Sequence, residues 1–177
     1  MNETMNQTGD NNEKLALDLA TLGYPGFVYL RQAVYPLNPA EVVLTALSQA
    51  DLECRIVEAL PWVLLAHPDL DWAWLREQVL HAGLQNRLGF ITNVARRVAE
   101  QIGQPQTSAR LANEEAKLEP LRLLHEDTLC HASITQAEQR FLLERRPAAA
   151  QHWHLLTDIA PEHLGYAVSW DDGRIGQ

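Results

Sequence analysis

Three observations predict an all-α fold, an irregular bundle of antiparallel helical hairpins with about seven to nine helices. Apolar residues recur at three- and four-residue spacing over most of the chain. Helix-start signals sit ahead of these runs at Asn38-Pro39, Asp71 and Thr135. Glycine or proline closes them at Gly23, Gly83, Gly103 and Pro105.

Residues 1–12 are rich in Asn, Thr and Gly and poor in apolar side chains, so disorder is expected there. Glu13 to Leu22 reads as a short amphipathic helix, ended by Gly23 and the turn Tyr24-Pro25-Gly26. Phe27 to Tyr35, with Val34, has the composition of a strand but no partner strand, which favours a buried loop or short helix. Asn38 caps the next helix, with Pro39 in its first turn and Glu41 reaching back.

The centre of the chain is 51–102, which holds Trp62, Trp72 and Trp74. Asp51 is expected to cap a helix carrying Leu52, Ile56, Val57 and Leu60, with a kink or restart at Pro61. Asp71 caps a second helix with Trp72, Leu75, Val79 and Ala82 inside, and Gly83 ends it left-handed. Leu84, Leu88, Ile91, Val94, Ala95 and Val98 mark a third.

Gly103 to Ser108 is the expected internal connection. It separates a helical core domain, 13–102, from a C-terminal helical subdomain, 109–168, packed on it; a flexible tail follows at 169–177. Ser108 is read as the cap of a helix to Leu118, with Pro120 interrupting and Leu121, Leu123 and Leu124 extending the pattern. Thr135 and Glu138 form a capping box for a helix to Arg146. Pro147 opens the next, carrying Trp153, Leu155 and Leu156, and Pro161 a last turn.

The chain has 177 residues, 46% of them hydrophobic and 21% charged, which is ordinary for a folded protein. No apolar run approaches the roughly 20 residues a membrane helix needs, and the N-terminus is unlike a secretory signal. A cytoplasmic protein with no membrane attachment is expected, with Cys54 and Cys130 as free thiols. The net charge of −9 disfavours unaided nucleic-acid binding and suits a basic protein partner. A homo-oligomer stays open, and no cofactor is expected.

Candidate chemistry falls into three groups. His125, Cys130, His131, His152 and His154 offer zinc-type ligands, but neither the adjacent pair nor His-x-His matches a structural zinc spacing, so no metal is assigned. Cys130 beside His131 offers a thiol nucleophile, although adjacency does not aim an imidazole at a thiolate. Residues 72–98 read as helix–turn–helix, with Gln85, Asn86, Arg87, Arg96 and Arg97 as base- or phosphate-reading types. Gln78 and Gly89 fit that motif poorly. No residue is expected to be catalytic. Trp72 and Trp74 diverge by about 200° on a helix. Trp74, with Gln85, Asn86 and Arg87, is therefore the expected partner-binding surface.

The segments LNPAEVVLTAL, EALPWVL, PDLDWAWL, LQNRLGF, EDTLCHASIT and AQHWHLLTD resemble a helical domain of bacterial transcriptional-regulator and antitoxin-like proteins of mobile elements. The resemblance covers roughly 24–165. It implies the sensing, oligomerising or partner-binding part of such a protein, with no catalytic residue carried over. Those relatives place a helix-turn-helix module ahead of this region, and the residues before Tyr24 are too few for one. The expected function is a non-enzymatic regulator that binds a partner, such as an antitoxin or a toxin–antitoxin or defence accessory. A DNA-binding regulator using 72–98 and a metal- or thiol-dependent enzyme at Cys130 and His131 are the alternatives.

Overall fold

The structure, a computed structural model, describes residues 2–31 and 35–169. The expectations for Val34 and for the tail at 170–177, Trp170 included, lie outside those residues. What is described is mostly helical, as the periodicity predicts.

Helix α1 (Asn2–Leu22) buries Leu15, Ala16, Leu19 and Ala20. It starts well before Glu13, so helix stands at 2–12 where disorder was expected. Two long-range bonds hold its middle: Asn11 Nδ2 donates to Gln49 Oε1 (2.8 Å), and Asn12 Oδ1 accepts from Glu53 N (3.2 Å). Gly23 takes φ 100°, and a 3-10 turn, Pro25–Leu30, follows. It buries Phe27 and leaves Val28 and Tyr29 exposed.

Helix α2 (Pro39–Leu47) starts as read, with Asn38 Oδ1 accepting from Ala40 N. Helix α3 (Cys54–Ala66) does not use Asp51 as its cap. The Asp51 carboxylate instead accepts from Ser133 N (2.9 Å) and Ser133 Oγ (2.8 Å). Pro61 neither ends nor restarts α3, and it lies buried within it. Helix α4 (Trp72–Ala82) is capped by Asp71, which accepts from Trp74 N, and it ends at Gly83 with φ 69°.

Helix α5 (Gln85–Gln101) is the axis of the molecule. Leu88, Phe90, Ile91, Val94, Ala95, Val98 and Ala99 are all buried and cover about half of its circumference, and in its first two turns Gln85, Asn86, Gly89 and Thr92 are buried as well. Helices α3 and α6 (Pro105–Leu118) flank it. Of the expected connection at 103–108, Gly103 and Gln104 form the turn between α5 and α6, and Pro105 to Ser108 open α6. Ser108 is no cap; it is buried and donates from Oγ to Glu100 Oε1 (3.2 Å). Glu115 further joins α5 to α6, taking bonds from Asn93 Nδ2 (2.8 Å) and Arg96 Nε (2.9 Å). One continuous core runs from Leu15 to Tyr166 and includes both halves.

After α6 and a 3-10 turn at Glu119–Leu121, the chain crosses the start of α5 as an irregular strap. Leu121 and Leu124 are exposed here, which corrects the expected helical continuation. Strand β1 (Asp127–Thr128) pairs in parallel with β2 (Leu155–Leu156), registering Asp127 with Leu155. Between them lie α7 (Gln136–Arg145) and α8 (Ala148–His152). Leu155 and Leu156 therefore leave the helical path expected of them. His154 turns left-handed, at φ 53°, between α8 and β2. A 3-10 turn (Pro161–His163) and α9 (Tyr166–Ser169) complete the described chain. Tyr166 is tied back to α3, its hydroxyl donating to Glu58 O (2.8 Å).

Candidate functional site

Two neighbouring features stand out, a cleft and the helix that forms one of its walls. Helix α7 is held at both ends. Thr135 Oγ1 accepts from Glu138 N (3.2 Å), while Thr135 N donates to Glu138 Oε2 (2.8 Å), completing the capping box. Beyond its C-terminus the Arg146 guanidinium grips the Glu126 carboxylate and donates to Leu155 O (3.1 Å). Yet α7 buries none of its residues. Phe141, Leu142 and Leu143 are consecutive, so at 100° per residue they fan over about 200° and cannot share one face. Only Leu142 turns inward; Phe141 is 54% exposed and Leu143 43%.

Leu142 faces a cleft of about 150 Å³. Leu52 and Val57 line it from α3 and its approach, Leu129 from the strap, and Leu156 and Ile159 from β2 and beyond. The rest of the lining is Cys54, Cys130, His131, Thr157 and Asp158. Backbone bonds from Leu52 N to Cys130 O and from Ala132 N to Ala50 O, both 2.9 Å, pin the strap to the approach of α3. The Cys54 thiol donates to Glu58 Oε1 (3.3 Å). Burial, the bond to Glu58 and the charges of Glu58 and Asp158 together push that thiol up to about 11.

The residues expected to form a surface lie elsewhere. Gln85, Asn86 and Arg87 are buried in the first turn of α5, which corrects their expected exposure. Gln85 Nε2 donates to Leu121 O (3.1 Å). Asn86 exchanges two bonds with the Leu123 backbone, at 2.9 and 2.8 Å. Arg87 donates from Nε and Nη2 to the Asp127 carboxylate (2.8 and 3.1 Å) and from Nη1 to the carbonyls of Leu47 (2.8 Å) and Gln49 (3.1 Å). These side chains fasten the strap. Arg96 is spent on Glu100 and Glu115. Arg97 is half-buried on the same helix. The first two turns of α5, Gln85 to Thr92, are buried throughout, while Arg96, Arg97 and Glu100 further along keep partial exposure. Trp74 is half-buried against the core.

The zinc-type residues are dispersed. His125 is exposed, His131 lines the cleft, His152 meets Glu119 (2.8 Å), and His154 lies 3.7 Å from Glu126. Among the described residues, no three His, Cys, Asp or Glu side chains gather into a group that could hold a metal ion. Cys130 is buried, with its thiol donating to Ala46 O (3.4 Å). Burial pushes that thiol up and Arg87 only partly opposes it, leaving it at about 11. A thiol held protonated there is a poor nucleophile.

Sequence reasoning missed Phe141, Leu142, Leu143 and Asp158. The first three were detectable, since three adjacent apolar residues in an otherwise polar helix must leave at least one outside. Among the described residues, no helix is long and apolar enough to cross a membrane. Compared with known proteins, the chain matches no family model, no curated protein and no solved structure.

Proposed function

We propose that this chain is a non-enzymatic regulatory protein that acts by binding a protein partner. Its most concrete form is an antitoxin or accessory subunit of a bacterial toxin–antitoxin or defence system. One observation carries the reading: α7 is fixed at both ends, buries no residue, and presents Phe141 and Leu143 to solvent. Ordering a helix costs conformational entropy that its own packing here barely offsets, and exposed aromatics are enriched where proteins meet. Val28 and Tyr29, 61% and 69% exposed, add a second apolar surface. The resemblance to regulator and antitoxin-like domains points the same way. The thiol-enzyme alternative gains nothing from a buried Cys130, nor the DNA-reading alternative from an inward-facing start of α5.

Affinity capture from the native host followed by mass spectrometry tests the proposal. A single polypeptide recovered at fixed stoichiometry, and lost with Phe141→Glu, is the expected result. Recovery of the chain alone, or only with nuclease-sensitive DNA, sinks it.

A further inference from the structure

The cleft beside α7 combines apolar walls with an acidic mouth. At about 150 Å³ it is well below the roughly 300 Å³ at which small-molecule sites begin, and it suits one inserted side chain. Leu52, Val57, Leu129, Leu142, Leu156 and Ile159 supply the walls, so that side chain is aliphatic. Asp158 lines the opening, and Glu58, which accepts from the Cys54 thiol on that lining, stands behind it toward the neighbouring pocket of Tyr24 and Tyr166.

Three arginines of this region are engaged with other groups. Arg87 is paired with Asp127, Arg146 with Glu126, and Arg145 lies over the Phe141 ring at 5.8 Å. Burial raises the Cys54 thiol most, and the bond to Glu58 and the charges of Glu58 and Asp158 add to it.

We propose that this cleft is the docking point for a partner polypeptide that inserts one aliphatic side chain beside Leu142 and sets an adjacent lysine or arginine against Asp158, with Glu58 behind it. This rests on the partner-binding reading above and names the chemistry of the partner segment, apolar and basic. Buried aliphatic contact supplies affinity, and the carboxylates supply orientation, association rate and salt dependence.

The test uses the full chain and a fluorescein-labelled amphipathic peptide of leucine and lysine, with a twin carrying glutamate for lysine. Anisotropy titrations are run at low and high salt on the wild type, Asp158→Lys, Leu142→Asp and Glu77→Lys. Glu77 is exposed on α4, so its variant makes the same charge change away from the cleft. Circular dichroism checks that each variant is folded.

Saturable binding of the lysine peptide is expected. It should weaken roughly tenfold or more in Asp158→Lys and Leu142→Asp, and by less than about twofold in Glu77→Lys. Equal binding of the twin, equal losses in Asp158→Lys and Glu77→Lys, no loss in Leu142→Asp, or no binding overturns the assignment. A host partner still captured by Asp158→Lys and Leu142→Asp would overturn the cleft assignment while leaving the partner reading intact. Specific peptide binding with no captured partner would do the reverse.

Discussion

The six-membered ring of Trp153 packs against Gly89, and there is room for it only because Gly89 has no side chain. A Cβ built on Gly89 would stand 2.6 Å from Trp153 Cε3, inside any permitted carbon–carbon distance. Trp153 is fully buried there, anchoring α8 and the start of β2 on α5. Gly89→Ala would gain up to about 1 kcal/mol of helix propensity. The clash should outweigh that and give net destabilisation of roughly 1–3 kcal/mol by urea unfolding. A stabilised Gly89→Ala would show that the ring does not sit there.

Arg87 is the main fastener of the strap. Arg87→Ala leaves the Asp127 carboxylate and the carbonyls of Leu47 and Gln49 without their donor. A cost of about 3–5 kcal/mol follows. Arg87→Lys should recover little, because one ammonium cannot reproduce the planar fork. Full recovery by lysine would contradict the bonding described.

Several groups tie stability to acid, and they share a sign. Burial lowers the His67 imidazole below its ordinary 6.5 despite its bond to Leu22 O. The Ser133 donors lower the Asp51 carboxyl, and the Arg146 bond lowers that of Glu126. Burial raises the Asp127 carboxyl, but the bond and charge of Arg87 outweigh it and bring it below its ordinary 3.8. In each case the unfolded chain binds the proton more readily than the native one. Stability is therefore full above the ordinary value and falls as pH drops through the native one. Melting temperature should be level near neutrality, slip below 6.5 as His67 charges, and fall steeply below 4.5. A protein more stable at acid pH would refute this.

Both thiols should be slow. With values near 11, each carries roughly a thousandth of its population as thiolate at pH 8. Iodoacetamide should label Cys54 slowly, and faster as pH rises toward 11. Cys130, fully buried, should react only when the chain unfolds. Rapid labelling of native Cys130 at neutral pH would restore the thiol-enzyme alternative.

Thr135→Ala removes the cap of a helix with little else to hold it. A loss of about 0.5–2 kcal/mol is expected, confined to α7. Hydrogen exchange should speed in 136–145 and stay unchanged in α5. Equal acceleration in both would mean that α7 is part of the cooperative core.

The helix starts at Asn38, Asp71 and Thr135, and the stop at Gly83, were legible because a cap acts on residues two or three positions away. The first turn of α5 was not. Gln85, Asn86 and Arg87 look like recognition residues until partners 36 to 40 positions away are known. The breadth of apolar positions on α5, with Phe90 and Ala99 beside the stripe first recognised, was the available sign that its polar residues were also enclosed. Asp51 and Ser108 misled because each has the chemistry of a cap and spends it on another element, Asp51 on Ser133 of the strap and Ser108 on Glu100 of α5. The cleft was out of reach, because its walls come from four stretches that only the folded chain assembles.

The most direct measurement is size-exclusion chromatography with light scattering on the protein purified from its native host, beside a Phe141→Glu, Leu143→Lys double variant. The account predicts a wild-type particle heavier than the 19.9 kDa chain, holding a second polypeptide at fixed ratio, and a folded double variant that runs alone. A double variant that keeps the complex, or a wild type that never forms one, would contradict it.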